Sequence, residues 1–186
     1  MPKVTVAPVE RIRNAAQLLL QQGGPGSLTT REVCRLAKVT APTLYHHYGD
    51  KDGLLRAVAA VEMQAFFNRK QRMKPSDDPR RDVLRGWDDW IEFAIEHSDL
   101  VRAVQASGAS AINMRQAGEI IVEARLARLA EVVTLEVEIR IGARILVASA
   151  NAIVQLLLDG ISPVEVRRLS TLLRHSVLEA IAPSDP

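Results

Sequence analysis

The sequence predicts an all-α chain of about nine helices: a three-helix unit at the amino terminus, then a larger helical body. Three observations predict it. Apolar residues recur at three- and four-residue spacing almost throughout, as the buried face of a helix requires. Pro and Gly fall in the gaps between these runs, not at the short regular intervals of an all-β chain. With 186 residues, 47% hydrophobic and 25% charged, the chain is long enough to bury a proper core and too apolar to be disordered.

Helix 1 is expected from about Pro8 to Gln22, where Val9, Ile12, Ala16, Leu19 and Leu20 share a face, and Gly23-Gly24-Pro25-Gly26 ends it. Helix 2 begins after Thr29, with Glu32 as capping-box partner, and ends near Ala37. Helix 3 spans Ala41 to Tyr48, with Thr40 as N-cap, Pro42 tolerated in the first turn and Gly49-Asp50 as the stop. Helix 4 runs from about Lys51 to Arg72, capped by Asp50, and is long enough to connect two bodies. Lys74 to Pro79 is the best linker candidate. Helix 5 then reaches about His97, helix 6 covers Asp99 to Ser107, and helix 7 covers about Ile112 to Val133. Helix 8 lies within Leu135 to Leu158 and helix 9 within Pro163 to Ile181. Thr134 is placed at the junction of helices 7 and 8, although no Gly or Pro marks it.

Composition narrows the functional classes. A single Cys rules out an intramolecular disulfide framework and fits a reducing compartment. Met1 to Glu10 has no signal-peptide pattern, so a cytoplasmic location is expected. The longest apolar stretch, Ile141 to Leu158, is interrupted by Arg144, Asn151 and Gln155, and reads as a buried helix with no membrane partner. Residues 1–75 hold 12 Lys plus Arg against 5 Asp plus Glu, a balance of +7, whereas residues 76–186 hold 12 against 17, a balance of −5. A polyanion would bind the basic part. A solvated helical surface has the same charge signature.

Helices 2 and 3, short and joined by a tight turn behind helix 1, have the arrangement of a helix-turn-helix. At about 100° per residue, Ala41, Leu44, Tyr45 and Tyr48 lie on one side of helix 3 and pack on Val33, Leu36 and Val39. Pro42, Thr43, His46 and His47 face outward, able to hydrogen-bond base edges and phosphates. Thr30, Arg31 and Lys51 flank them at helix starts, where free N–H groups favour a phosphate. The rings of Tyr45 and Tyr48 are expected to pack in the core, with the Tyr45 hydroxyl free to reach a phosphate. His46 and His47 point about 100° apart and cannot share one metal ion, so no metal site is expected. Cys34 reads as a small, partly buried side chain rather than a redox sensor.

The segments Leu28-Thr29-Thr30-Arg31, Pro42-Thr43-Leu44-Tyr45-His46-His47-Tyr48 and Lys51-Asp52-Gly53-Leu54-Leu55 resemble the DNA-binding signature of the TetR family of bacterial transcriptional regulators. The resemblance covers about 45 residues without a gap. It implies two domains, a helix-turn-helix DNA-binding domain at 1–52 and a ligand-binding and dimerisation domain at 53–186, with helix 4 connecting them. It also implies a homodimer on double-stranded operator DNA, and repression relieved by a small molecule of unknown identity. Thr30, Arg31, Thr43, Tyr45, His47 and Lys51 occupy family positions that touch phosphates, and Ala41, Pro42, Thr43 and His46 positions that read bases. One departure stands out: Lys38 occupies a turn position where the family usually has Gly. A left-handed backbone there costs a non-Gly residue about 1 kcal/mol, so Lys38 is expected either at positive φ or in a reshaped turn.

Helix 8 is apolar nearly all round and must be covered on every side. Packing helices 8 and 9 on a symmetry mate gives an isologous four-helix bundle, with Ile145, Ala148, Ala152, Leu156, Leu169, Leu173 and Val177 as interface candidates. A purely intramolecular core is the alternative. If helices 4 to 8 enclose a cavity, as the resemblance implies, Met63, Phe66, Trp87, Trp90, Phe93 and Met114 are candidate apolar walls. His97, Gln105, Asn113 and Arg115 are candidate polar anchors, and plain core packing is the competing role of the aromatics. No catalytic residue or cofactor is expected: the sequence has no His-Glu-x-x-His, Glu-x-x-His, Gly-x-Ser-x-Gly or phosphate-loop pattern. A ligand-independent DNA-binding activator or architectural protein is the second reading, and a small helical enzyme the third.

Overall fold

Local capping and breaker residues set most element ends. The computed structural model describes residues 7–23 and 27–183. Among these the elements are α1 (Pro8–Gly23), α2 (Thr30–Ala37), α3 (Ala41–Tyr48), α4 (Lys51–Arg72), α5 (Pro79–Glu96), α6 (Ser98–Gln105), α7 (Gly108–Leu129), α8 (Ile139–Leu158) and α9 (Pro163–Ile181), with no strand. Gly24, Pro25 and Gly26, expected to end the first helix, lie outside the described residues.

The caps differ in detail from the expectation. The Thr29 hydroxyl accepts from the Glu32 amide at 3.2 Å, but the reciprocal half of the capping box is missing. The Thr29 amide donates instead to the Ser27 carbonyl, and the Glu32 carboxylate takes Arg35 at 2.7 Å. Thr40 stands at the N-cap of α3, yet its hydroxyl pairs with that of Thr43 at 3.0 Å and caps no amide. Asp50 caps α4 through the Gly53 amide at 2.5 Å. Lys38 takes the left-handed conformation, at φ 53° and ψ 51°, and its amide closes α2 on the Cys34 carbonyl.

The seventh helix is displaced from its expected bounds. It starts at Gly108 and stops at Leu129, so Val132, Val133 and Thr134 fall in the connection 130–138. The amides of Val132 and Val133 both turn back onto the Leu129 carbonyl, and Glu136 donates to the Ile181 carbonyl at 2.8 Å. Three consecutive β-branched residues, poor helix formers, are thus held as a turn strapped to the end of α9.

Two clusters of buried side chains result. The smaller is built on Ile12, Ala16, Leu28, Val33, Leu44, Leu54 and Val58, from α1 to the start of α4. The larger begins at Ala59 and runs through α4 to α9. No loop separates them, because both grow on the one continuous helix α4. Two polar side chains are fully buried among the described residues, Asp82 and Ser170, and both are satisfied. Ser170 accepts from the Trp87 indole at 2.8 Å. Asp82 takes the Ser76 amide and hydroxyl and the Arg128 guanidinium, each at 2.8 Å, which fixes the Pro-rich connection before α5 rather than leaving it loose. Burial raises the Asp82 pKa, but the Ser76 and Arg128 hydrogen bonds and the Arg85 charge outweigh it and hold the carboxyl below its ordinary value.

By length and composition α8 is apolar enough to cross a membrane. Gly142, Ala143, Leu146, Ala150, Ile153, Val154 and Leu158 are buried, with Leu146 and Ile153 in the larger cluster alongside residues of α7 and α9.

Candidate nucleic-acid interface and ligand cavity

Helix α3 is anchored by one fully buried side chain, Leu44, with Val39 and Tyr48 packed against the same cluster. That anchoring turns Pro42, His46 and His47 outward, all exposed, with Thr43 and Ala41 half-buried. Tyr45 departs from the expected core packing: the residue is 45% exposed and its hydroxyl lies 3.4 Å from that of Thr30 at the start of α2. The reason is the angular offset from Leu44, which carries the ring past the edge of α2 instead of into the cluster. Tyr48 does pack, and its hydroxyl donates to the Val9 carbonyl at 2.9 Å, tying α3 to α1. Burial pushes the Tyr48 pKa up, against the opposing charge of Arg13.

The helix start next to α3 is shaped by Gly53. A Cβ there would sit 2.0 Å from the Tyr48 carbonyl oxygen, so only Gly lets the end of α3 meet the start of α4 this closely. The result places exposed Lys51 beside the His46-His47 end of α3, and exposed Arg31 with Thr30 at the start of α2. Cys34 is half-buried and burial raises its pKa, the opposite of an activated thiolate. No cluster of His, Cys, Asp and Glu able to hold a metal ion occurs among the described residues.

In the larger body the aromatics form a chain of rings. Phe66 lies 4.4 Å from Phe93 and 5.8 Å from Trp90, and Trp90 stacks on Phe67 at 6.1 Å. Beside them is a cavity of about 70 Å³ between α4, α5, α7 and α8. Of the expected lining residues, Phe66, Trp87, Trp90, Met114 and Arg115 surround it. Met63 and Asn113, with Met114, line a second cavity of about 110 Å³ between α4, α6 and α7. Phe93, His97 and Gln105 line neither. Phe93 is buried among the other rings, and its ring lies 4.7 Å from that of His97 at the exposed junction of α5 and α6.

The sequence reading missed Lys70, Gly86, Arg125 and Asn151, which also line the first cavity. Asn151 accepts from the Trp90 indole at 3.1 Å. A polar side chain interrupting the apolar run of α8 was the available signal for it. Arg125 lies within the apolar stripe Ile121, Val122, Leu126 and Leu129 of α7, and would have been found by the same criterion.

Exposed apolar side chains occur on several helices, and on α8 they line up. Ile141, Ile145, Ala148, Ala152 and Leu156 are all exposed, and their spacing puts them on one stripe. On α9, Leu169, Leu173 and Val177 are half-buried against the protein's own core, whereas Leu172 is 63% exposed.

Residues 12–58 match the family model described as "Bacterial regulatory proteins, tetR family". The chain is 33% identical over 85 residues to the HTH-type transcriptional regulator BetI of Ectopseudomonas mendocina (strain ymp), a stretch covering 43% of this chain and 43% of that regulator's length. Among solved structures it is similar to SmeT, the repressor of the Stenotrophomonas maltophilia multidrug efflux pump SmeDEF, with a TM-score of 0.68 at 18% identity over 97% of this chain and 98% of that one. It is likewise similar to the transcriptional regulator FadR from Bacillus subtilis in complex with stearoyl-CoA, with a TM-score of 0.64 at 13% identity over 93% and 99%. At these identities the likeness to both structures is one of fold.

Proposed function

From the premise that this chain is a transcriptional regulator of the TetR family, we propose that it is a cytoplasmic repressor. It binds a palindromic operator as a homodimer and is released by a small molecule. Residues 1–52 carry DNA binding and residues 53–186 carry dimerisation and effector binding, with no catalytic role and no membrane contact. The observation that carries the DNA-binding part is the exposed outer face of α3, flanked by Arg31 and Lys51. Pro42, Thr43, His46 and the Ala41 methyl are offered to base edges, and Thr30, Arg31, Tyr45, His47 and Lys51 to phosphates. The Thr30 and Tyr45 hydroxyls, 3.4 Å apart, would engage one backbone position together.

The exposed stripe on α8 supports the pairing. Such an apolar strip on a single chain is covered at low cost by its own two-fold copy. Ile145, Ala148, Ala152 and Leu156 belong to it, with Leu169, Leu173 and Val177 as a partly buried margin. Two recognition helices then meet successive major grooves about 34 to 36 Å apart.

Effector release follows from the small cavity. Its 70 Å³ holds about two waters, so a drug-sized ligand enters only by parting the walls, one of which is α4 through Phe66, Phe67 and Lys70. A ligand that favours the parted setting shifts the population toward it and weakens operator binding by its differential affinity. SmeT is a repressor and FadR takes stearoyl-CoA, precedents within the same fold.

The test is fluorescence anisotropy with the promoter DNA flanking the protein's own gene, titrated with salt. Binding tighter than to bulk competitor, with affinity falling steeply as salt rises, is the expected result; equal affinity for both DNAs would refute the reading. A reporter whose expression falls on deletion of the gene would favour the activator reading instead.

A further inference from the structure

Arg125 is the half-buried cation for which the larger body supplies no counterion at contact. It makes no hydrogen bond or ion pair within 4 Å among the described residues. Burial pulls its pKa down, and Asp89 and Asp82 oppose this from beyond contact. Both carboxylates are already engaged, Asp89 by Lys70 and Asp82 by Ser76, Arg128 and Arg85. The place for the guanidinium is nevertheless built: a Cβ on Gly86 would lie 1.5 Å from Arg125 Nη1, so α5 omits a side chain where α7 delivers the charge.

Its position adds a second fact. Arg125, with Lys70 and Ile121, lines both the apolar cavity of about 70 Å³ and an outer groove of about 270 Å³. The outer groove is bounded by Lys70, Lys74, Arg85, Arg125 and Arg128, with Asp82 as its acid. One end of the combined space is aromatic and the other cationic, and Arg125 stands where they join.

We propose that the effector is an amphipathic organic anion. Its apolar body lies between Phe66, Trp87 and Trp90, and its carboxylate, sulfonate or phosphate head is held by Arg125 at the mouth of the outer groove. This deepens the effector reading above and rests on it. A guanidinium offers two parallel donors to such a head. A neutral ligand would leave the half-buried charge without a counterion, an energetic reason for the site to reject it.

The probe is 1-anilinonaphthalene-8-sulfonate, compared with N-phenyl-1-naphthylamine, the same rings without the acid. The protein has two Trp, and both line the cavity, so energy transfer from Trp to either probe reports binding in this body, and dependence on Arg125 assigns it to the cavity. In the full-length protein the sulfonate should bind about tenfold more tightly than the neutral probe, the scale of one charge-assisted contact. Arg125→Gln should abolish that preference, read as the ratio of the two probes' affinities within the variant. Gly86→Ala, whose methyl takes the guanidinium's place while keeping the charge, should do the same. Equal affinity for the two probes in the wild type would overturn the proposal, and so would a sulfonate preference surviving both substitutions. Should Arg125→Gln not fold, Gly86→Ala and the salt dependence of sulfonate binding decide. Operator binding is measured in parallel. An Arg125-dependent sulfonate preference without DNA release supports the anion site and removes the release step. Release by the neutral probe, independent of Arg125, overturns the anion site and keeps that step.

Discussion

His46 and Lys51 share one exposed surface but differ in what each can tell a duplex. In the proposed complex the imidazole on the outer face of α3 would meet base edges, whose donor and acceptor pattern depends on sequence. The ammonium at the start of α4 would meet phosphates, which are the same at every step. Lys51→Ala should therefore weaken binding uniformly across sequences and flatten the slope of log affinity against log salt by about one unit. His46→Ala should leave that slope in place and reduce discrimination at one base position by about 1 to 3 kcal/mol. Anisotropy across a panel of single-base operator variants separates the two. At this scale the sequence was most readable where one residue type has few uses. At Lys38 the family resemblance, which puts Gly in that turn, left two outcomes, a positive φ or a reshaped turn, and φ is 53°. Tyr45 was misjudged because an amphipathic ring suits either side of a narrow apolar stripe, and the 100° step from Leu44 decided against the core.

Between elements, the connection before α5 behaves as a strap rather than a free linker. Asp82 binds it through the Ser76 amide and hydroxyl and then binds α7 through Arg128; Arg128 also donates to the Ser76 carbonyl at 2.8 Å. Asp82→Asn should destabilise the fold at neutral pH by on the order of 2 kcal/mol, since it leaves Arg128 without its counter-charge. The sign of the pH dependence follows from the depressed pKa. The carboxylate's contribution is complete above its ordinary value of 3.8 and is lost as pH falls through the lower folded value. Urea midpoints of the two proteins should thus differ at pH 7, and the difference should shrink progressively as pH falls below 3.8. None of this was legible beforehand, because a Pro-, Ser- and Asp-rich stretch has the same composition whether or not something holds it. The carboxyl end of α7 was hidden for a related reason: residues 130–138 contain no Gly or Pro, and the turn shows only in the hydrogen bonds of Val132 and Val133 to Leu129 and of Glu136 to Ile181. Arg125 escaped notice because its long stem suits the apolar face and its charged end finds a niche made by a glycine on another helix.

For the whole molecule, the proposed pairing rests on the stripe from Ile141 to Leu156. Ile145→Glu with Leu156→Glu places two charges on exposed positions of one chain, so the monomer fold should tolerate them. In a two-fold interface the same charges meet their copies at close range. Sedimentation should show a dimer for the wild type and a monomer for the double variant, with helical content unchanged and operator binding lost. A wild-type monomer would refute the pairing.

Consecutive residues of α4 belong to different clusters, Val58 closing one and Ala59 opening the next. On the release mechanism proposed above, the junction of the two clusters would act as a pivot within one continuous helix. Lys51 stands about 10 Å from it at 1.5 Å of rise per residue, and Phe66 stands at a similar reach on the other arm. Pivoting the helix by about 10° would carry the Lys51 end through about 2 Å. Across a symmetric pair that displacement doubles to about 4 Å, roughly a tenth of the 34 to 36 Å groove repeat. A wedge no larger than a ring displaced beside Phe66 is thus geometrically sufficient to put both reading heads out of step with the helix they straddle.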